Sequence, residues 1–308
     1  MTTTIAFVHK GRSWFLPYAA QQAKLASPES DVVLIGSHPL RQQVGFSGMS
    51  SLENAESRRF RRCYVHRSTL SANFELFCWL RWFYLLEYLR RTKKDFVLYL
   101  DSDVLLYSAV GEMDLLSDGY DCGFCIPELT GPYYDASAHV SFWTRQSLED
   151  FCAFILRSFC DEKYNAVYQQ KWEWHLREKV GGGVCDMSTF YLFWRENQPR
   201  VRNLAMARNG TVFEHNINIA TNYRIGEYRL SGGHKEITIT DRRPFLTPVD
   251  QTVGPVRAHA LHFQGAAKPM MKEFCFAETP LNTFPARPIP PLRELLAIGV
   301  RRLQKLRS

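Results

Sequence analysis

The stretch from Ser71 to Leu100 constrains the fold more than any other part of the chain. Ser71-Ala-Asn-Phe-Glu75 has the pattern of a helix start, with Ser71 or Asn73 as its cap. The helix is predicted to run to about Arg91 and is apolar nearly all round, through Phe74, Trp79, Trp82, Phe83, Leu86 and Leu89. A helix without a polar face is buried. Asp95-Phe-Val-Leu-Tyr-Leu100 follows, a continuous apolar run of strand length. Such a run belongs inside a parallel sheet covered on both faces. Buried helix and doubly covered strand together call for a layered α/β protein.

The N-terminus agrees. Thr4–Val8 and Asp31–Gly36 read as strands, and Pro17–Ala26 between them reads as a helix, which makes a βαβ unit. Residues 37–57 read as polar and irregular. His139–Thr144 reads as a strand running into the helix Leu148–Phe159, and 185–196 as a helix introduced by Gly181-Gly-Gly183. The span 211–240 is β-like, with its clearest alternation at Ile237–Thr240. One domain is expected over 1–284. A Pro-rich tether and a basic amphipathic helix are expected over 285–308.

A chain of 308 residues that is 45% apolar has material for one sizeable core, which excludes a disordered or low-complexity protein. No segment reaches the roughly twenty apolar residues of a membrane-spanning helix. No secretory signal is apparent. The eight cysteines are scattered and read as reduced core thiols. Cys122-Gly-Phe-Cys125 has knuckle spacing, but no second Cys or His pair stands at a zinc-site distance. The net charge of +7 raises the question of an anionic partner. Arg287, Arg293, Arg301, Arg302, Lys305 and Arg307 face only Glu294 in residues 287–308, so five of those seven charges sit in the tail. The body is nearly neutral, and a nucleic-acid partner is not expected.

The sharpest chemical feature is Leu100-Asp101-Ser102-Asp103, two carboxylates after the end of the buried strand. Ligands bind at that edge of open α/β sheets. Two adjoining carboxylates beside apolar runs repel each other, and a divalent cation compensates them. Carboxylate oxygens suit Mg²⁺ or Mn²⁺. A solvated turn with acidic caps is the plain alternative. Far away in sequence, Ala260-Leu-His-Phe-Gln-Gly-Ala-Ala-Lys-Pro269 joins a strand end to a glycine loop. His262 suits Mn²⁺ better than Mg²⁺ as a ligand, Gly265 would let backbone amides approach a phosphate, and Lys268 would bring a point charge to it. Otherwise these are a core histidine, a turn glycine and a surface lysine.

Together, Leu-Asp-Ser-Asp at 100–103 and His-Phe-Gln-Gly-Ala-Ala-Lys-Pro at 262–269 resemble the GT-A glycosyltransferases, and most nearly retaining family 8. The resemblance covers roughly residues 4–36, 74–106 and 258–270. It departs from the family at Met270, where an aromatic residue is usual. It implies a GT-A type, Rossmann-like mixed α/β sheet flanked by helices. It also implies Mn²⁺ (or Mg²⁺) on Asp101, Asp103 and His262, and the diphosphate of a nucleotide sugar on Gly265 and Lys268.

Other candidates follow from position. His9, Lys10 and Gly11 after the first strand, with Gly36 and Ser37 after the second, occupy the edge where such enzymes hold the nucleotide, and Ser102 lies between the two acids. Arg81, in the most apolar helix, needs a partner: donor phosphate, or a structural glutamate such as Glu75 or Glu87. Asp186 is either an N-cap or a site acid, serving as base in an inverting enzyme or as a sugar contact in a retaining one. Glu214 and His215 are expected in a surface loop, with acceptor contact as the other reading. His139 is a candidate lining of the sugar pocket. Trp172, Trp174 and His175 offer either an acceptor subsite or an inward-packing helix.

The function expected is a metal-dependent hexosyltransferase. It would move sugar from a nucleotide-diphosphate donor, UDP by resemblance, to a glycan or lipid-linked saccharide, with retention. A sugar-nucleotide-forming nucleotidyltransferase and a non-catalytic carbohydrate-binding protein are the alternatives. The expected setting is cytoplasmic. The helix 292–306, with its apolar and basic faces, is the candidate for peripheral contact with the inner face of a membrane.

Overall fold

A computed structural model describes residues 3–40, 44–128, 135–218 and 223–278. The tether and tail helix expected over 285–308, the 292–306 membrane candidate among them, lie outside these residues. Among the described residues no helix is long and apolar enough to cross a membrane.

The chain begins β1 (Thr4–His9), α1 (Leu16–Ala26), β2 (Asp31–Gly36), β3 (Gly45–Gly48), α2 (Ala55–Cys63), α3 (Ala72–Thr92), β4 (Phe96–Leu100) and β5 (Val104–Leu106). It continues with β6 (Cys122–Cys125), β7 (Ser137–Thr144), α4 (Arg145–Cys160), α5 (Glu162–Glu178), α6 (Asp186–Asn197), β8 (Val201–Asn203) and β9 (Thr211–Phe213). Last come β10 (Leu230–Ser231), β11 (His234–Lys235), β12 (Ile237–Thr240), β13 (Arg243–Leu246), β14 (Val256–His262) and α7 (Met271–Phe274).

Seven strands form one mixed sheet in the order β3-β2-β1-β4-β7-β6-β8. β1, β2, β3 and β4 are parallel, and β7 runs against its neighbours β4 and β6. Alternation decides which side chains go to which face. Ala6 and Val8 of β1, and Val97 and Tyr99 of β4, join a core with α2, α3, α4, α5 and α6. Ile5, Phe7, Leu98 and Leu100 join a second core with α1 and the smaller sheet. That smaller sheet has the order β12-β13-β14-β5, with β9 also on β14. The expected mixed sheet flanked by helices is therefore present.

Local signals explain the elements. Ser71 caps α3, its hydroxyl accepting from Phe74 N, and Lys93 ends the helix in the left-handed region. The middle of α3 is buried, through Trp79, Leu80, Trp82, Phe83, Leu85, Leu86 and Leu89, but the helix is not buried all round: its first three residues, Phe74 included, and its last two are exposed. The span 37–57 is not irregular throughout: it holds β3, a short 3₁₀ turn and the start of α2. Its glycine-rich strand has too little alternation to be read locally. Gly183 allows a close crossing. A Cβ there would lie 2.3 Å from Arg67 O and 2.6 Å from Ser68 Cα, so only glycine lets the 67–68 loop press against the chain entering α6.

Candidate active site

The acidic pair lies where the chain leaves one sheet for the other. β4 ends at Leu100, and Val104 N donates back to Asp101 O at 3.1 Å to close the turn. The next strand, β5, pairs antiparallel with β14, and this register sets His262 opposite Val104. Phe263 N then donates to Asp103 O at 2.9 Å. Backbone pairing alone thus brings the late motif to the acids. Asp101 N donates to His139 O at 2.7 Å, which adds the start of β7 to the same edge.

Asp103 is shared between two residues of that motif. Its Oδ1 is 3.5 Å from His262 Nε2, and its Oδ2 is 2.7 Å from Lys268 Nζ. Burial opposes ionisation of Asp103, but His262 and Lys268 outweigh it and hold the pKa well below the usual carboxylate range. His262 Nδ1–H donates to His215 O at 2.6 Å, so Nε2 is the atom turned to Asp103. Burial disfavours charge on His262, yet Asp103 prevails and raises its pKa. His139 stacks on the same ring at 4.3 Å and 10°, and burial keeps it neutral by lowering its pKa far below the ordinary value.

Arg81 joins two acids from different elements. Nη1 donates to Asp101 Oδ1 at 2.7 Å and Nη2 to Asp186 Oδ2 at 2.8 Å. Tyr99 Oη donates to the same Asp101 oxygen at 2.6 Å, and Trp82 Nε1 to Asp186 Oδ2 at 2.9 Å. The structural partner expected for Arg81 was Glu75 or Glu87, and it is neither. Glu75 accepts from Ser68, and Glu87 from Arg91 and Asn54. The helix period places Arg81 toward the sheet edge, whereas Glu75 turns to the loop before α3, and Glu87 to the cap of α2 and to Arg91 one turn along its own helix. Asp186 is not an N-cap. Cys185 holds that position, and Asp186 is the first helical residue, buried on Arg81.

His9 ends β1, with Nε2 buried and without a hydrogen-bond partner. Burial lowers its pKa, against the pull of nearby Asp103. Lys10 is exposed and lines a cavity of about 270 Å³ with Asn73, Phe77 and Tyr84. Gly11 N donates to Ser37 Oγ at 2.8 Å, which ties the ends of β1 and β2 together. Ser102 sits in the acidic turn, half-buried. Gly265 has φ +58, and a Cβ there would meet only Asn218 Nδ2, at 3.9 Å. The residue is exposed, and the left-handed backbone there is one that glycine adopts freely.

Glu214 and His215, expected at the surface, are buried. Glu214 is paired with Lys235 at 2.8 Å, and the His215 ring stacks on Tyr223. Sequence offered no signal for this, because the pairing of Glu214 with Lys235 on β11 and of His215 O with His262 on β14 depends on tertiary contacts. Tyr99 was read only as strand core, and its hydroxyl reaches the site because β4 ends one residue later. Trp172 is partly buried against the helix-side core and His175 is buried, which favours the packing-helix reading of α5. Cys122 and Cys125 are buried, and all eight cysteines are free thiols.

Among the described residues no group of three or more His, Cys, Asp or Glu side chains is gathered as a metal-binding set. The chemistry of a pair nonetheless suits a divalent ion. Asp103 Oδ1 and His262 Nε2 face each other across 3.5 Å, longer than an ordinary hydrogen bond, and the backbone carbonyl on Nδ1 is the kind of partner that orients ligating histidines. Asp101 turns Oδ1 to Arg81 and Tyr99 while its side chain stays 26% exposed.

No family model matches the chain, and no curated protein matches it in sequence. Among solved structures it is similar to mouse xyloside xylosyltransferase 1 in the apo form, at 8% identity and a TM-score of 0.43, over 69% of this chain and 88% of that one. It is also similar to the galactosyltransferase LgtC in complex with donor and acceptor sugar analogues, at 16% identity and a TM-score of 0.38, over 88% of this chain and 93% of that one.

Proposed function

We propose that this protein is a metal-dependent glycosyltransferase of GT-A type. It moves a sugar from a nucleotide-diphosphate donor, UDP-linked by resemblance, to a glycan or lipid-linked saccharide, with retention. One observation carries the reading: Asp103 faces both His262 and Lys268, which arrive together from the far end of the chain. A carboxylate, an imidazole and an ammonium on one sheet edge match the needs of a metal–diphosphate pair.

Asp101, Asp103 and His262 would hold Mn²⁺ or Mg²⁺, which when bound supplies Lewis-acid stabilisation of the leaving diphosphate. Lys268 turns from Asp103 to a diphosphate oxygen and neutralises charge as it develops. Gly265 presents its main chain to the same group, and His9, Lys10 and Gly11 border the nucleoside with Ser102 beside the acids. Arg81, fixed between Asp101 and Asp186, keeps these carboxylates ordered without a moving part. Asp186 already accepts from Arg81 and Trp82, so its role is to hold sugar hydroxyls rather than to remove a proton. The bond from the anomeric carbon to the diphosphate oxygen breaks and the acceptor oxygen bonds to that carbon. The acceptor proton passes to the departing oxygen, and this retaining course needs no separate base.

The test is incubation with Mn²⁺ and a panel of nucleotide sugars, followed by chromatography for released nucleoside diphosphate. Release from one donor supports the reading. Silence across the panel, with no thermal shift by UDP, GDP or their sugars, sinks it. Pyrophosphate released from sugar phosphate plus nucleoside triphosphate would show sugar-nucleotide synthesis instead.

A further inference from the structure

The pair Glu214–Lys235 is almost wholly removed from solvent, with side chains 0% and 2% exposed and Nζ 2.8 Å from Oε1. Burying two charges costs desolvation, and an apolar pair of the same volume would stabilise the fold as well. An apolar pair could not order main chain. Glu214 Oε1 also accepts from Asn216 N at 2.5 Å, and Oε2 from His262 N at 3.4 Å. Lys235 N donates to Ile217 O, and Ile217 N to His262 O, both at 3.2 Å. The two carbonyls inside this clamp are the ones that orient imidazoles: Glu214 O accepts from His139 Nε2 at 3.0 Å, and His215 O from His262 Nδ1 at 2.6 Å. Carbonyls only accept, so the bonds fix which ring nitrogen carries hydrogen.

We propose that Glu214 and Lys235 are positioning residues: their ion pair sets the 214–216 main chain so that His262 aims Nε2 at Asp103 and His139 backs the ring. Neither touches the reacting atoms. The metal part of the inference rests on the reading of His262 as a ligand, and the ring orientation does not.

The experiment uses the full chain with ¹⁵N-labelled histidine. The double variant Glu214→Gln/Lys235→Met removes both charges at once, so no lone charge is left buried. The parent should show a slowly exchanging His262 Nδ1–H, identified by its loss in His262→Gln. In the double variant, with thermal unfolding still cooperative, that proton should exchange rapidly. Mn²⁺ affinity, read by electron paramagnetic resonance, should fall about ten- to a hundred-fold. Lys235→Arg alone, which keeps both charges of the pair, should hold both readouts near the parent's. A folded double variant with parental protection and parental Mn²⁺ affinity overturns the proposal. If the double variant does not fold, Glu214→Gln/Lys235→Gln, which likewise leaves no charge buried, is read the same way. A parent that binds no Mn²⁺ refutes the metal reading, while the exchange measurement still decides the positioning role.

Discussion

Arg81 reaches from the middle of α3 to Asp186 at the start of α6, Nη2 2.8 Å from Oδ2, while its other terminal nitrogen holds Asp101. One guanidinium thus compensates two carboxylates that arrive from different elements. Arg81→Met should leave both acids without their cation and destabilise the protein by about 3–5 kcal/mol. Urea unfolding measures this. A loss under about 1 kcal/mol would mean that solvent already screens these acids.

Lys268 occupies Asp103 Oδ2 in this structure, and a cation competes with a metal for a carboxylate. Lys268→Ala should therefore bind Mn²⁺ alone at least as tightly as the parent. Its affinity for nucleoside diphosphate in the presence of Mn²⁺ should fall about ten- to a hundred-fold, the worth of one hydrogen bond to a charged group. Calorimetric titrations with each ligand give the two constants. Equal weakening of both would contradict the split.

Asp103→Ala removes the carboxylate common to His262 and Lys268. The variant should stay folded, because backbone pairing rather than this side chain joins β5 to β14. Mn²⁺ binding, followed by electron paramagnetic resonance, should be lost. Parental binding would refute the metal assignment.

Glu75 is buried on α3, and desolvation lifts its pKa to about 7 against the hydrogen bond from Ser68. A carboxyl raised above its unfolded value binds more protons in the folded state, so the stability it contributes is present below pH 4.5 and lost as pH rises through 7. The loss is about 3 kcal/mol at full extent. Glu75→Gln keeps the acceptor for Ser68 and should remove this decline. The variant should be the more stable protein at pH 8 and gain little at pH 4.5. Parallel stability curves would show that Glu75 does not titrate in this range.

His259 has the opposite sign. Burial, with Arg257 and Arg202 nearby, lowers its pKa to about 4. The unfolded state then binds more protons below pH 6.5, so stability is full above that and falls by about 3 kcal/mol toward pH 4. His259→Gln should flatten the acid side of the pH–stability curve. A slope equal to the parent's would assign the effect to other groups.

Sequence by itself determined the elements whose logic is local. Alternation in Ile5–Val8, Val32–Ile35 and Val97–Leu100 fixes which side chains go to which face of a covered sheet, since β-strand periodicity is a backbone property. The position of Asp101 and Asp103 at the end of a buried strand was legible for the same reason. So was the need of Arg81 for a partner, because a guanidinium in an apolar helix cannot stand alone. The partner's identity was not legible. Asp186 meets Arg81 across 105 residues, at the start of a helix whose entry passes hard against the 67–68 loop at Gly183. Glu214 and His215 read as a polar surface loop and became core. Polar residues can be buried only when their partners are in place, and those partners are Lys235 on β11 and His262 on β14. The tertiary structure decided which charges face one another, because that depends on strand register across two sheets and not on the neighbours of each residue along the chain.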